Sequence, residues 1–316
     1  MHILTPGLRP SIPTEEVYGM AKGKNAVISS EKSMKHRSNF GDICHRFAKN
    51  KTAMLGLIII VIICVLMLIS GFLVPYSDAV TNNAQERLLK PSLAHFFGTD
   101  QFGRDIFARI LYGARMSLGI SLLSSAVLLV MCCFVGAAAA YYGGAVDSII
   151  MRGMDILLCI PQTLLALAII MVMGNGTMSL LVALIVVSIA PSVRFIYAVV
   201  LTVSEQDYIK AAKSYGAHDF RIIMKHIIPN AVGPIIVDTT MGISEIILSI
   251  ASYSYLGMGI QPPTPEWGSM LSDVMDYMRA APYMLIFPGA AILITALAFN
   301  LMGDGLRDAI DPKLKD

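Results

Sequence analysis

Six long runs of apolar residues, separated by polar stretches, dominate this sequence. A helix needs about 20 apolar residues to cross the hydrocarbon core of a bilayer, and a helix satisfies its own backbone hydrogen bonds there. The pattern therefore predicts an all-α polytopic membrane protein with six transmembrane helices. The predicted spans are residues 53–74, 116–138, 156–173, 179–203, 232–256 and 285–302.

Composition agrees with a membrane protein and gives no support to nucleic-acid or metal binding. Hydrophobic residues make up 55% of the 316 residues and charged residues 15%, whereas about a quarter of a soluble domain is charged. The net charge of +2 gives no reason to expect nucleic-acid binding. Neither the five cysteines nor the six histidines have the spacing of a metal site, so we expect no bound metal.

The charges also predict a topology. Residues 1–52 form a polar, basic tail that we expect to be cytoplasmic and partly disordered, ahead of a membrane domain at 53–303. If the tail lies inside, 17 of the 24 lysines and arginines fall on the inner side, as the positive-inside rule requires. Residues 75–115 and 257–283 would then form external loops, and residues 304–316 a cytoplasmic C-terminus.

Residues 204–229 interrupt the apolar pattern and are called the polar segment below. They read SEQDYIKAAKSYGAHDFRIIMKHIIP, which predicts a helix, a turn and a second helical stretch that carries four isoleucines. Gly216 suits the left-handed position that ends a helix, and Pro229 suits the first turn of the next span.

The spacing of Ala211, Ala212, Gly216 and Pro229 resembles the EAA loop of ABC importer permeases, with Lys210 where that family carries glutamate. Three further stretches resemble the dipeptide and oligopeptide permease subfamily. They are FGTDQFGRDIFARILYGARMSL at 97–118, SYLGMGIQPPTPEWGSMLSD at 254–273 and FNLMGDGLRDAIDP at 299–312. The resemblance implies a type I ABC importer permease fold and the C-type permease subunit.

In that family the polar segment is the coupling loop that docks on the ATPase. The resemblance implies a heterodimer with a sister permease, two cytoplasmic ABC ATPases and an extracytoplasmic substrate-binding protein that delivers a di- or oligopeptide. Nickel chelates and glutathione are alternative cargoes. The docking residues it implies are Asp207, Lys210, Ala211, Ala212, Gly216, Ala217, Arg221 and Pro229.

The resemblance also implies a subunit that is not an enzyme. The partner ATPases would bind ATP and Mg, and no cofactor is expected in this chain. The sequence agrees, because it contains no GxxxxGK[ST] loop to cradle nucleotide phosphates.

Charged residues inside the predicted spans are candidate functional groups, because such residues are costly in a bilayer. Asp155, next to the start of the third span, and Arg194, in the fourth, lie a similar distance from the cytoplasmic ends of these spans, and we expect an interhelical ion pair. Asp238 and Glu245 are two helical turns apart on one face of the fifth span. They either line the transport pathway or pair with polar groups of a neighbouring helix. Trp267 is interpreted as an aromatic anchor at the membrane surface, in preference to a brace for a docking surface.

Two other classes of membrane protein are weighed against an ABC permease. An ion-coupled secondary transporter could use Asp238 and Glu245 as ion sites, but its usual inverted repeats are not evident in this sequence. An intramembrane hydrolase would need a base beside a serine, and no histidine lies in any predicted span.

Overall fold

The computed structural model describes residues 39–310 of the chain. Two units divide the sequence, residues 1–44 and 45–316, and of the first unit only the start of helix α1 is described. The predicted tail up to residue 38 and the last six residues of the predicted C-terminus lie outside the described residues.

Helices account for most of the described chain. Ala84–Glu86 forms a short 3₁₀ turn, and Ile223–Ile227 forms a π-helical turn between two α-helices. The α-helices are α1 (Asn39–Lys49), α2 (Lys51–Leu73), α3 (Tyr76–Val80), α4 (Ile106–Tyr142), α5 (Gly144–Leu158), α6 (Gln162–Met173), α7 (Thr177–Ser204), α8 (Asp207–Ser214), α9 (Asp219–Ile222), α10 (Ile228–Tyr255), α11 (Trp267–Ser272) and α12 (Tyr283–Ile310).

Five helical runs within residues 39–310 are long and apolar enough to cross a membrane. They are α2, α4, α7, the run from α9 through α10, and α12. The bent pair α5 and α6 raises the number to six when it is counted as one span. The all-α polytopic fold predicted from the apolar runs is therefore confirmed.

The third predicted span, 156–173, is not one straight helix. Helix α5 ends at Leu158, helix α6 begins at Gln162, and their axes differ by 86°. Pro161 lies between them, and proline has no N–H to continue the helix and disfavours helical geometry in the residue before it. The prediction of a continuous span was wrong because it weighed apolar length above this proline.

The helices that contain the second and sixth predicted spans extend beyond the predicted bounds. Helix α4 begins at Ile106, where the carboxylate of Asp105 accepts the N–H of Ala108 (2.9 Å) and caps the first turn. The last ten residues of the predicted external loop 75–115 are therefore helical. Helix α12 continues through the start of the predicted C-terminal segment 304–316 as far as Ile310.

Small residues allow the long helices to approach closely. A Cβ added at Gly136 of α4 would lie 3.0 Å from the carbonyl oxygen of Val193 in α7. A Cβ at Gly56 of α2 would lie 2.6 Å from the carbonyl oxygen of Ala298 in α12. Close backbone approach at small residues is a usual device of helix packing in membranes. It fixes α4 against α7 and α2 against α12.

Candidate functional site

The polar segment folds as a helix, a turn and a second helical stretch, as its sequence predicted. Gly216, just beyond α8, has a φ of +75°, a conformation that glycine adopts without strain. The N–H of Gly216 donates to the carbonyl of Lys213 (3.0 Å), and the N–H of Ala217 donates to that of Ala212 (3.2 Å). These bonds satisfy carbonyls at the end of α8 and fix the direction of the turn.

The two alanines of α8 face different ways. Ile209 is only 1% exposed, and Ala212, one turn further on, is half-buried against the same apolar cluster. Ala211 lies on the exposed side of the helix. The sequence interpretation treated both alanines as docking residues, and Ala211 is the more exposed of the two. Of the other implied docking residues, Ala217 is half-buried, and Asp207, Lys210, Gly216, Arg221 and Pro229 are exposed.

The second helical stretch continues into the fifth span without a break. Pro229, predicted to open that span, is the second residue of α10 within a continuous helical run. Because proline lacks an N–H, it cannot make the usual bond one turn back. The preceding turn is π-helical, and the N–H of Ile228 donates to the carbonyl of Ile223, five residues back. Helices α9 and α10 are therefore parts of one continuous helical run.

A cavity of about 410 Å³ lies between α4, α6, α7, α10 and α12. Asp238 and Glu245 both line it from α10, so the structure brings the two predicted carboxylates to one space. Hydroxyl and amide side chains lie around them and make the wall polar. These neutral polar groups are Ser125, Gln162, Ser188, Ser192, Thr239, Ser249 and Tyr253.

Arg307 also lines this cavity, and the sequence analysis missed it. Apolar length alone ends the sixth predicted span at residue 302, which places Arg307 among the cytoplasmic cations. The apolar residues Leu306, Ala309 and Ile310 continue the helical spacing and could have revealed the extension of α12. Two carboxylates and one guanidinium suit a solute that carries both an ammonium and a carboxylate group.

Asp155 of α5 and Arg194 of α7 lie together as the sequence suggested, with Nη2 of Arg194 in contact with Oδ1 of Asp155. Nearby, the hydroxyl of Tyr197 donates to Oδ2 of Asp147 at 3.3 Å. Both contacts join α5 to α7. They join α5, the first helix of the bent pair, to α7, which lines the cavity.

Trp267 is not a membrane-surface anchor. Its side chain is 2% exposed, and its Nε1–H donates to the carbonyl of Ile110 in α4 at 3.0 Å. It packs over Gly113, where an added Cβ would lie 3.1 Å from the indole Cδ1. The anchor prediction was wrong because it relied on the general enrichment of tryptophan at membrane surfaces. That enrichment does not reveal the contacts of Trp267 with α4.

Glu266, the residue before it, is a buried helix cap that the sequence analysis missed. Its carboxylate accepts the N–H groups of Gly268 (2.7 Å) and Ser269 (2.8 Å) at the start of α11. The hydroxyl of Ser117 in α4 donates to it at 3.1 Å. Burial raises the pKa of the Glu266 carboxyl, although these hydrogen bonds favour its charged form.

A buried ion cluster joins the two loops that the sequence predicts to be external, residues 75–115 and 257–283. Nε of Arg104 lies 2.6 Å from Oδ2 of Asp100, and Nη1 of Arg109 lies 3.5 Å from the same oxygen. Nη2 of Arg104 lies 3.5 Å from Oδ2 of Asp273. Two positive and two negative charges balance, which is the condition for burying such groups. Asp273, more than 160 residues away in sequence, could not be assigned to the cluster in advance.

Two family profiles match the sequence. The family described as "binding-protein-dependent transport system inner membrane component" matches residues 133–316, and "N-terminal TM domain of oligopeptide transport permease C" matches residues 38–91.

Curated relatives cover most of the chain. A dipeptide transport system permease protein DppC of Escherichia coli K12 is 44% identical over 92% of this chain and 98% of its own length. DppC of Alkalihalophilus pseudofirmus is 43% identical over 84% of this chain and 88% of its own. A glutathione transport system permease protein GsiD of Shigella flexneri is 43% identical over 88% of this chain and 92% of its own.

A solved structure shares the fold. A chain of the MetNI methionine ABC transporter, in an inward-facing conformation, superposes with a TM-score of 0.54 at 16% identity. The match covers 64% of this chain and 96% of the MetNI chain.

Proposed function

Because the chain belongs to the family of binding-protein-dependent transport system inner membrane components, we propose that it is the permease subunit of an ABC importer for peptides. The observation that carries the proposal is the path from the exposed helix α8, through the turn at Gly216, into the helix that lines the polar cavity. Such a path connects a docking surface to a translocation pathway. A free-standing ion-coupled carrier would have no use for it.

We infer that both termini face the cytoplasm. Counting the bent pair as one span gives six crossings, which returns the end of α12 to the side of α1. The polar segment, between the fourth and fifth spans, lies on that side too. Its four basic residues and the basic tail support a cytoplasmic location.

The proposed assembly contains a sister permease, two cytoplasmic ABC ATPases and an extracytoplasmic substrate-binding protein. The ATPases would bind ATP and Mg, and this chain would transmit their movement to the cavity. The exposed face of α8, centred on Ala211, is the proposed ATPase-docking surface. Closure of the ATPases would push α8 and α9, and α10 would transmit the movement to the cavity wall, so that the cavity opens alternately to each side.

A peptide is the proposed cargo, and glutathione, itself a small peptide, is the main alternative. The cavity fits either one, because both carry an ammonium group and carboxylates that its charged residues complement. Uptake of labelled dipeptides and of glutathione by cells with and without this chain tests the proposal. If cells without this chain take up both solutes at the wild-type rate, the proposal is contradicted.

Removing the charges of Asp238 or Glu245 should weaken the passage of peptides with a free N-terminus. A charge-assisted hydrogen bond contributes about 1.5–3 kcal/mol, so we expect Asp238→Asn and Glu245→Gln each to lower uptake roughly tenfold or more. Uptake is measured in proteoliposomes that contain the whole importer, with free and N-acetylated peptides compared.

The matched control is Asp304→Asn, which removes an exposed carboxylate of α12 outside the cavity lining. We expect it to transport both peptides at the wild-type rate. Wild-type uptake of every peptide by Asp238→Asn and Glu245→Gln would remove the two carboxylates from the pathway.

A further inference from the structure

One aromatic side chain contacts both arms of the polar segment. Tyr141, in the last turn of α4, is 8% exposed, whereas its neighbour Tyr142 is 55% exposed. The hydroxyl of Tyr141 donates to Oδ1 of Asp219, the first residue of α9, at 2.7 Å. Nζ of Lys213, near the end of α8, lies 4.1 Å from the centre of the Tyr141 ring.

These two contacts span the turn at Gly216. An added Cβ at Gly216 would meet no atom within 4 Å, so the space beside this glycine is open. The hydrogen bond to Asp219 is charge-assisted, and such bonds are about twice as strong as neutral ones. The contact of Lys213 with the ring is a cation–π interaction. Tyr141 therefore holds α8, which carries the proposed docking face, relative to α9, which continues into α10.

Helix α4 extends this connection to the other wall of the cavity. Leu128 and Cys132 of α4 line the same cavity as the carboxylates of α10. At Gly136, α4 also packs closely on α7, which contributes Ser188 and Ser192 to the lining. Contacts therefore connect the polar segment to the cavity by two routes, directly through α10 and through Tyr141 into α4.

We propose that Tyr141 is a positioning residue that couples the movement of the ATPase-docking helix to α4, so that both walls of the cavity move together. The proposal rests on the proposed function, because it requires that ATPases dock on α8. Without the hydroxyl of Tyr141, α9 can move without α4. ATP hydrolysis then continues, but fewer turnovers complete the opening of the cavity.

The test measures peptide transported per ATP hydrolysed by the complete importer in proteoliposomes. Tyr141→Phe removes only the hydroxyl and keeps the ring under Lys213. We expect wild-type assembly with the ATPases, near-wild-type ATP hydrolysis, and about a three- to tenfold lower ratio of transport to hydrolysis. Asp219→Asn, which weakens the same hydrogen bond from the other side, should lower the ratio in the same direction.

Tyr142→Phe is the matched control, because it removes the hydroxyl of the neighbouring, exposed tyrosine, and its ratio should equal that of the wild type. A ratio for Tyr141→Phe within twofold of the wild-type value would overturn the proposal. An equal decrease of uptake and hydrolysis would also overturn it, because it would assign Tyr141 to folding or docking alone. A wild-type importer that hydrolyses ATP and moves no peptide would instead overturn the proposed function, and this inference with it.

Discussion

Replacing Ala211 with tryptophan is expected to reduce ATP-driven uptake strongly while the permease itself stays folded. Ala211 is exposed on α8, on a different side from the buried Ile209, so the larger side chain displaces nothing within the chain. At a closely packed docking surface, extra bulk costs about 1–3 kcal/mol. That cost corresponds to roughly a ten- to hundredfold weaker association with the ATPase.

Two measurements check this result, namely co-purification of the ATPases with the permease and peptide uptake by the reconstituted importer. Ala211→Ser keeps a small side chain and should retain both activities. Ala145→Trp adds the same bulk at an exposed position early in α5 and should assemble normally. Undiminished co-purification and uptake in Ala211→Trp would show that the ATPase docks elsewhere.

The neighbouring position should behave differently. Ala212 is half-buried against the cluster that contains Ile209, so tryptophan there overfills packed space and should lower expression and thermal stability before docking is tested. This contrast between adjacent alanines could not be derived from the sequence, because the docking pattern gives their spacing but not the side on which the helix packs.

The positions of the spans were largely predictable, because apolar length determines what can cross a bilayer. The predicted span boundaries were wrong at positions where tertiary contacts or a proline determine the local structure and apolar length does not. Arg109 looked like a residue of an external loop, but it lies inside α4, where acidic residues of the buried cluster surround it. Pro161 breaks a stretch that is otherwise long enough to be a straight span.

The candidate site was predictable where it depends on local sequence and not where it depends on packing. The turn at Gly216 follows from the conformational freedom of glycine, and the common face of Asp238 and Glu245 follows from helical periodicity. The contacts of Tyr141 and the place of Arg307 in the cavity wall required the folded chain, because both depend on how helices far apart in sequence pack together. Trp267 illustrates the same limit, because its partner Ile110 lies more than 150 residues away.

Replacing Asp100 with asparagine is expected to destabilise the protein strongly. Asparagine keeps the shape of the side chain and an oxygen for the N–H groups of Phe102 and Arg104, which Oδ1 of Asp100 accepts at 2.8 and 3.0 Å. It removes the charge that faces Arg104 and Arg109, each 2% exposed. Asp273 can balance only one of the two arginines. Breaking a buried ion pair by removing one partner costs about 3–5 kcal/mol, because one buried positive charge is then left without a balancing carboxylate.

Thermal unfolding of the purified permease in detergent measures this effect, and a decrease in Tm on the order of 10 °C is expected for a chain of this size. Asp276→Asn removes an exposed carboxylate from the same connection as Asp273 and should leave the Tm unchanged. Adding Arg109→Met to Asp100→Asn restores the balance of charge, so the double variant should recover part of the lost stability. If Asp100→Asn unfolds at the wild-type temperature, the cluster does not stabilise the fold. If the single variant is destabilised and the double variant recovers, charge balance holds the two connections together, since the second substitution removes a cation and adds no polar contact.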